Sequence, residues 1–177
     1  QQDLQQHKEK VIRFLKEKTF RAFPQDPPDL EMQLVSRAQS RSGGNRVYSF
    51  VPENGFRLKL DWRWSESPKE TKPLVLVLRN RNEDRWASEG FSNGIPDGWN
   101  RAFFSVRGVG ESSWGDGLQW HLRRASAWIG RTIASMRVYD VLRCLQTIRE
   151  LDLAEDKEIA IAARGEMAVI ALYAALL

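Results

Sequence analysis

The residues able to do covalent or acid–base chemistry are few in this chain, and they are poorly matched to one another. Histidine occurs only as His7 and His121, and cysteine only as Cys144. A metal site needs about 3 or 4 convergent ligands. His121, beside Trp120, has no second His or Cys near it in sequence, so it reads as a partly buried structural histidine, and no metal or cofactor is expected. A single cysteine also excludes an intramolecular disulfide. Gly110-Glu111-Ser112-Ser113-Trp114-Gly115 superficially resembles a serine nucleophile motif, but its spacing is wrong and its composition is that of a turn. Gly108 and Gly110 could cradle a phosphate, yet neither a third glycine nor the Lys-Ser/Thr of a P-loop accompanies them. Arg137 and Asp140 stand three apart at helical spacing, which suits an ion pair or a clamp on a neighbouring loop.

Seven tryptophans add a different chemistry, because flat aromatic faces suit stacking against sugar rings. Trp62 and Trp64 continue the apolar face of a strand and belong in a core. Trp86, Trp99 and Trp114 are the loop candidates for contact with a carbohydrate.

These side chains must be held by elements whose patterns differ in kind. Leu4, Val11, Phe14 and Leu15 recur at helical spacing among charged residues, so an amphipathic helix is expected from about Asp3 to Thr19. Phe23-Pro24-Gln25-Asp26-Pro27-Pro28 stops it. A polar segment rich in Ser, Arg and Gly leads through Gly43-Gly44-Asn45 into a first strand, Arg46 to Val51. Pro52-Glu53-Asn54-Gly55 is a hairpin turn with Asn-Gly chemistry. In the return strand Phe56, Leu58, Leu60, Trp62 and Trp64 alternate with Arg57, Lys59, Asp61 and Arg63, the pattern of an antiparallel strand near a sheet edge.

Leu74 to Leu78 and Ala102 to Val106 are nearly continuous apolar runs, as expected of strands covered on both faces. Val138, Val141, Leu142, Leu145 and Ile148 mark a helix that starts after Ile129 and ends near Asp152. Glu158 to Ala162 reads as another short buried strand, followed by a helix apolar on every face, Met167 to Leu177. The order is that of a mostly parallel, three-layer α/β sheet with an antiparallel N-terminal hairpin. A helix so apolar belongs inside a larger fold, so the chain is expected to be part of a longer polypeptide.

The bulk numbers agree with a soluble globular domain: 177 residues, 42% hydrophobic and 28% charged. The net charge of +4 comes from basic residues interleaved with acidic ones, so no nucleic-acid partner is expected. No run approaches the roughly 18 apolar residues of a membrane span, and the opening QQDLQQHKEK is unlike a signal peptide. The compartment stays open, export in a parent protein included.

Together, the helix ending in KTFRAFP before Gln25, Val106-Arg107-Gly108-Val109-Gly110-Glu111-Ser112 after a buried strand, and Ile129-Gly130-Arg131 through Ile148 resemble the α/β-hydrolase superfamily. So does the strand, turn and helix around Ala163 to Met167. Within the superfamily the similarity is to acetyl-xylan-esterase-like and dienelactone-hydrolase-like proteins. The resemblance implies residues 1–28 as an N-terminal helix with a Pro-rich connector and residues 29–177 as the N-terminal half of the fold.

It also implies a serine at the apex of a G-x-S-x-G turn between a central strand and the next helix. Here that turn reads Ala163-Arg164-Gly165-Glu166-Met167, with Gly165 at the serine position. Glycine has no nucleophile, Arg164 stays protonated, and Glu166 is one position away from the apex. The acid and histidine of the triad would follow the elbow, whereas both histidines precede it. The resemblance therefore implies a degenerate elbow. Asn80, Arg81 and Asn82, which follow the strand whose loop supplies an oxyanion-hole amide in that fold, would line a remnant pocket with Trp86 and Trp114, or else form a polar surface loop, the two readings standing level.

Three functions follow as expectations. The first is a non-catalytic, esterase-like domain with an accessory role in a larger protein. The second is part of an active carboxylic-ester hydrolase whose catalytic residues lie outside this chain. The third is a carbohydrate-binding module. The open sheet edge is expected to be covered by the remainder of the polypeptide or by a second copy.

Overall fold

The structure, a computed structural model, describes residues 2–65, 72–81, 83, 90–96, 98–154 and 159–177. Asn82, Trp86 and Glu158 lie outside the described residues. Helix α1 spans Gln2–Phe14 and runs into one wide helical stretch, Leu15–Thr19. Six strands follow: β1 (Gln33–Ser40), β2 (Gly43–Glu53), β3 (Phe56–Ser65), β4 (Leu74–Leu78), β5 (Asn100–Phe104) and β6 (Ile159–Ala162). Helices α2 (Gly115–Trp128) and α3 (Ile133–Glu150) lie between β5 and β6, and α4 (Glu166–Leu176) comes last.

The strands form one sheet in the order β1-β2-β3-β5-β4-β6. The first three are antiparallel, β3 also pairs antiparallel with β5, and β4 pairs parallel with both β5 and β6. The sheet is mixed α/β, with three antiparallel and two parallel pairings, where the apolar patterns imply a mostly parallel sheet after an antiparallel hairpin. The hairpin turn falls where Asn-Gly chemistry places it, with Glu53 opposite Phe56 and Asn54-Gly55 between them.

Alternation in β3 sends Leu58, Leu60, Trp62 and Trp64 into the core beside Tyr48 and Phe50 of β2. All five residues of β4 are buried, and the inner face of the sheet packs on α3 and α4 through Val138, Val141, Ile148, Met167 and Ile170. Phe20, just beyond the first helical segment, joins the same core and meets Tyr173 edge-on at 5.4 Å. Helix α3 starts where Thr132 and Ser135 cap each other reciprocally, each side chain accepting the other's backbone N–H at 2.9 Å.

Four elements differ from the sequence expectation. The polar segment before Gly43 is a strand, β1, with all eight residues exposed, so backbone pairing with β2 holds it and no apolar alternation marks it. Strand β3 is interior and not near an edge, because β1 and β2 stand outside it. Residues 115–128 form a helix whose inward positions are the largely polar Gln119, Leu122 and Ser126, while Leu118, Trp120 and Trp128 are exposed. The apolar period that reveals a helix is therefore missing. Strand β6 stands at the sheet edge and is only partly buried.

Candidate active site

Strands β5, β4 and β6 run in the same direction, and β4 lies between the other two. The chain leaves β4 towards one neighbour and later crosses to the other. In an open α/β sheet that reversal leaves a crevice at the carboxyl ends of the strands, where ligands bind. Three loops meet there: the one after β4 with Asn80, Arg81 and Glu83, the one after β5 from Val106 to Ser112, and the turn after β6, Ala163 to Gly165.

Gly165 forms the apex of a strand–turn–helix corner. Its backbone has φ 57° and ψ −135°, and it stands immediately before α4, with no side chain capping the helix. That conformation is one L side chains rarely adopt, so glycine sits there without strain. A Cβ at Gly165 would have room: its nearest neighbours are the side-chain atoms of Asn80, with Oδ1 at 3.5 Å. Space therefore does not exclude a side chain at this apex.

Asn80 is fixed in front of this apex. Its backbone N–H donates to Glu83 Oε2 at 3.0 Å and its side-chain amide donates to Glu83 Oε1 at 2.9 Å. Arg164 reaches across from the elbow to the same carboxylate and lies over the Phe91 ring at 5.3 Å. Burial alone would raise the Glu83 carboxyl, but the hydrogen bonds from Asn80 and Arg164 outweigh it and hold its pKa below the ordinary value. Glu83 is the residue that the sequence reading missed. The Asn80-x-x-Glu83 spacing, a side chain returning to a backbone N–H three residues back, was the available signal.

The other expected pocket residues divide. Arg81 pairs with Asp116 in the first turn of α2. Trp114 lies flat across Gly108, where a Cβ would come within 2.2 Å of the indole ring, and its Nε1 donates to Gln119 at 2.6 Å. Arg137 lies behind it, its guanidinium carbon 5.9 Å from the Trp114 ring. Glu166 takes the Arg137 Nη1 hydrogen bond at 2.6 Å, while Met167 is wholly buried in the core. Ala163 is half-buried against the same core.

Arg137 and Asp140 do not pair with each other; they clamp one loop. Arg137 Nε donates to the Arg107 carbonyl at 3.1 Å, and Asp140 accepts from the Arg107 backbone N–H at 3.0 Å and from its guanidinium. Arg107 continues to Glu53 at 2.7 Å, which also accepts from Arg131. Complete burial pushes the Asp140 carboxyl up, against the pull of Arg107. Burial also works against the Arg107 charge, but Asp140 and Glu53 outweigh it and hold its pKa up.

None of the remaining candidates is set up for chemistry. Ser112 Oγ accepts from the Gly108 N–H at 3.1 Å and donates within the loop to the carbonyls of Val109 and Val106, so it fastens the turn. His121, expected to be partly buried, is instead exposed on α2, because that helix turns Gln119, Leu122 and Ser126 inward, and it lies edge-on to Trp120. Cys144 is buried, which drives its thiol pKa well up and keeps it protonated. Among the described residues no three His, Cys, Asp or Glu side chains gather as a metal site.

The same fold occurs in solved structures. A methylesterase superposes on the whole chain with TM-score 0.76 at 11% identity, the match covering 39% of that protein. An acetyl xylan esterase from Thermoanaerobacterium sp. matches 98% of this chain and 54% of its own, with TM-score 0.65 and 13% identity. A glucuronoyl esterase from Solibacter usitatus matches 94% of this chain and 54% of its own, with TM-score 0.64 and 9% identity. The fold is a partial α/β-hydrolase fold. The chain spans about half the length of these relatives or less. No family model matches the sequence, and no curated protein does. Among the described residues no helix is long and apolar enough to cross a membrane.

Proposed function

We propose that this chain is a hydrolase-type scaffold with a degenerate elbow, a non-catalytic domain with an accessory role in a larger carbohydrate-esterase-like protein. One observation carries the reading: the strand–turn–helix corner that would present a nucleophile presents Gly165, in an apex conformation that L side chains rarely adopt and with no side chain of its own. Asn80 faces that apex and the loops around it are tied by Glu83, Asp116 and Glu166, so the frame is kept while the reacting group is missing. The purified chain is expected to hydrolyse neither nitrophenyl acetate nor acetylated xylan, and Gly165→Ser alone is expected to restore little, because a lone hydroxyl without base and acid is a weak nucleophile. Robust turnover by the unaltered chain would overturn the reading.

A second reading has its own support. The similar structures are esterases by name, and this chain matches about half of each or less, so a parent protein could be an active ester hydrolase of the acetyl-xylan-esterase type with its catalytic residues outside this chain. The open flank at β6 fits either reading. A cavity of about 710 Å³ lies there, lined by Leu142, Leu145, Ile159, Ile161, Ala171 and Leu172 among others, and Val169, Leu172 and Leu176 of α4 are exposed. Such a flank calls for a cover, either the remainder of a polypeptide or a second copy. A sugar-binding role through Trp99 and Trp114 has less behind it, because Trp114 is half-buried and pinned across Gly108.

A further inference from the structure

The outer face of α2 carries an exposed aromatic and cationic stripe whose described ring and cation contacts stay within the helix itself. Trp120, Arg124 and Trp128 follow at successive i+4 positions, so they form one ridge along the helix, about 12 Å from first to last. Trp120 is 58% exposed and Trp128 is 89% exposed. The Arg124 guanidinium lies 4.5 Å from the centre of the Trp120 ring, and the His121 ring meets the edge of that indole at 5.2 Å. The helix turns Gln119, Leu122 and Ser126 inward instead. Among the described residues no carboxylate pairs with Arg123 or Arg124.

The ridge is continuous with the candidate site. Asp116, in the first turn of α2, is bonded to Arg81 on the loop that holds Asn80 before Gly165, and Gln119 accepts from Trp114 at the same mouth. The stripe therefore begins beside the crevice and leads away from it along a convex helix.

We propose that this face binds a linear polysaccharide bearing uronate carboxylates. Indole faces stack against the C–H faces of sugar rings, while exposed guanidinium groups with no carboxylate partner in the fold complement the carboxylates along such a chain. A convex ridge accommodates an extended polymer and offers no groove to a partner helix. A lipid surface is matched less well, because insertion favours a continuous apolar face and here an arginine stands between the two rings. The proposal shares with the functional reading only the glycan partner, and it holds whether or not the elbow has any activity.

The test is affinity electrophoresis of the intact chain in gels containing polygalacturonate or neutral arabinoxylan, with tryptophan fluorescence titration for the dissociation constants. The expected result is retardation by polygalacturonate that weakens with salt, at least tenfold weaker binding for Trp128→Ala and for Trp120→Ala, and loss of the preference for the charged polymer in Arg124→Gln. All three positions are exposed, and unchanged far-UV circular dichroism would show that the variants are folded. Equal migration in both gels would overturn the proposal. So would retardation that both tryptophan variants retain, which is binding by net charge alone, or sedimentation with phosphatidylglycerol vesicles in place of retardation by the polysaccharide. Loss of esterase activity or its presence leaves these outcomes unchanged, so failure here is separable from failure of the elbow reading.

Discussion

Placing a side chain at Gly165 measures how strongly the corner is bent. The apex backbone lies at φ 57° and ψ −135°, and an added Cβ meets nothing nearer than 3.5 Å, so the cost of Gly165→Ala is conformational and not steric. A non-glycine residue held in such a region costs about 1–3 kcal/mol. Removing glycine's freedom from the unfolded chain returns about 0.4–1 kcal/mol. The net is a destabilisation of up to about 2.6 kcal/mol, about 1.3 kcal/mol at mid-range, or a mid-range fall in Tm of roughly 3–5 °C for a chain of this size. Gly108→Ala adds a true clash, since its Cβ would lie 2.2 Å from the Trp114 ring. Overpacking adds about 1–3 kcal/mol to a comparable backbone cost. Gly117 in α2 has open space around it, so Gly117→Ala should stabilise by about 0.5–1 kcal/mol. Urea denaturation of the three variants gives the order directly. Gly165→Ala as stable as the parent, or Gly108→Ala no worse than Gly165→Ala, would refute the reasoning.

Other expectations concern the buried ionic network and the loop it holds. Asp140→Ala leaves the Arg107 guanidinium short of a buried partner and should cost about 3–5 kcal/mol, whereas Lys59→Ala, in an exposed pair with Glu111, should cost about 0–1 kcal/mol; equal losses by denaturation would contradict the burial argument. Glu53 has its pKa lowered because hydrogen bonds from Arg131 and Arg107 outweigh the burial that would raise it. The folded state therefore binds this proton less tightly than the unfolded state, and the stabilisation is complete above the ordinary carboxylate range and lost as pH falls through the depressed value. The stability gap between the parent and Glu53→Gln should be widest near neutrality and close on acidification below about pH 4; a gap that opens in acid would reverse the sign. Ser112→Ala removes the acceptor of the Gly108 N–H and should lower stability by about 1–2 kcal/mol, read from thermal unfolding.

Much of this architecture is legible in the sequence, for physical reasons that also mark where legibility stops. The buried strands β4 and β5, the alternating β3, the Asn54-Gly55 turn and the stripe of α3 announce themselves because burial dictates their residue types. Strand β1 stays hidden because its eight residues are exposed and only backbone bonds fix it. Helix α2 stays hidden because its inward face is largely polar and its largest apolar residues point outward. At the site, the glycine at position 165 and its neighbour Asn80 can be placed from the order of strand, turn and helix. The partners of Arg107 cannot: Glu53 and Asp140 are far from it in sequence, and only the packed sheet brings the three charges together. The i, i+3 spacing of Arg137 and Asp140 correctly suggests a clamp, yet each residue acts on Arg107 and not on the other.

The central claim is that the corner at Gly165 presents no nucleophile and that no other serine of this chain takes its place. Labelling of the purified chain with a fluorophosphonate, with the modified residue mapped by mass spectrometry, tests it most directly. The account predicts no modified serine. A stoichiometric adduct on a serine of this chain, Ser112 above all, would contradict it.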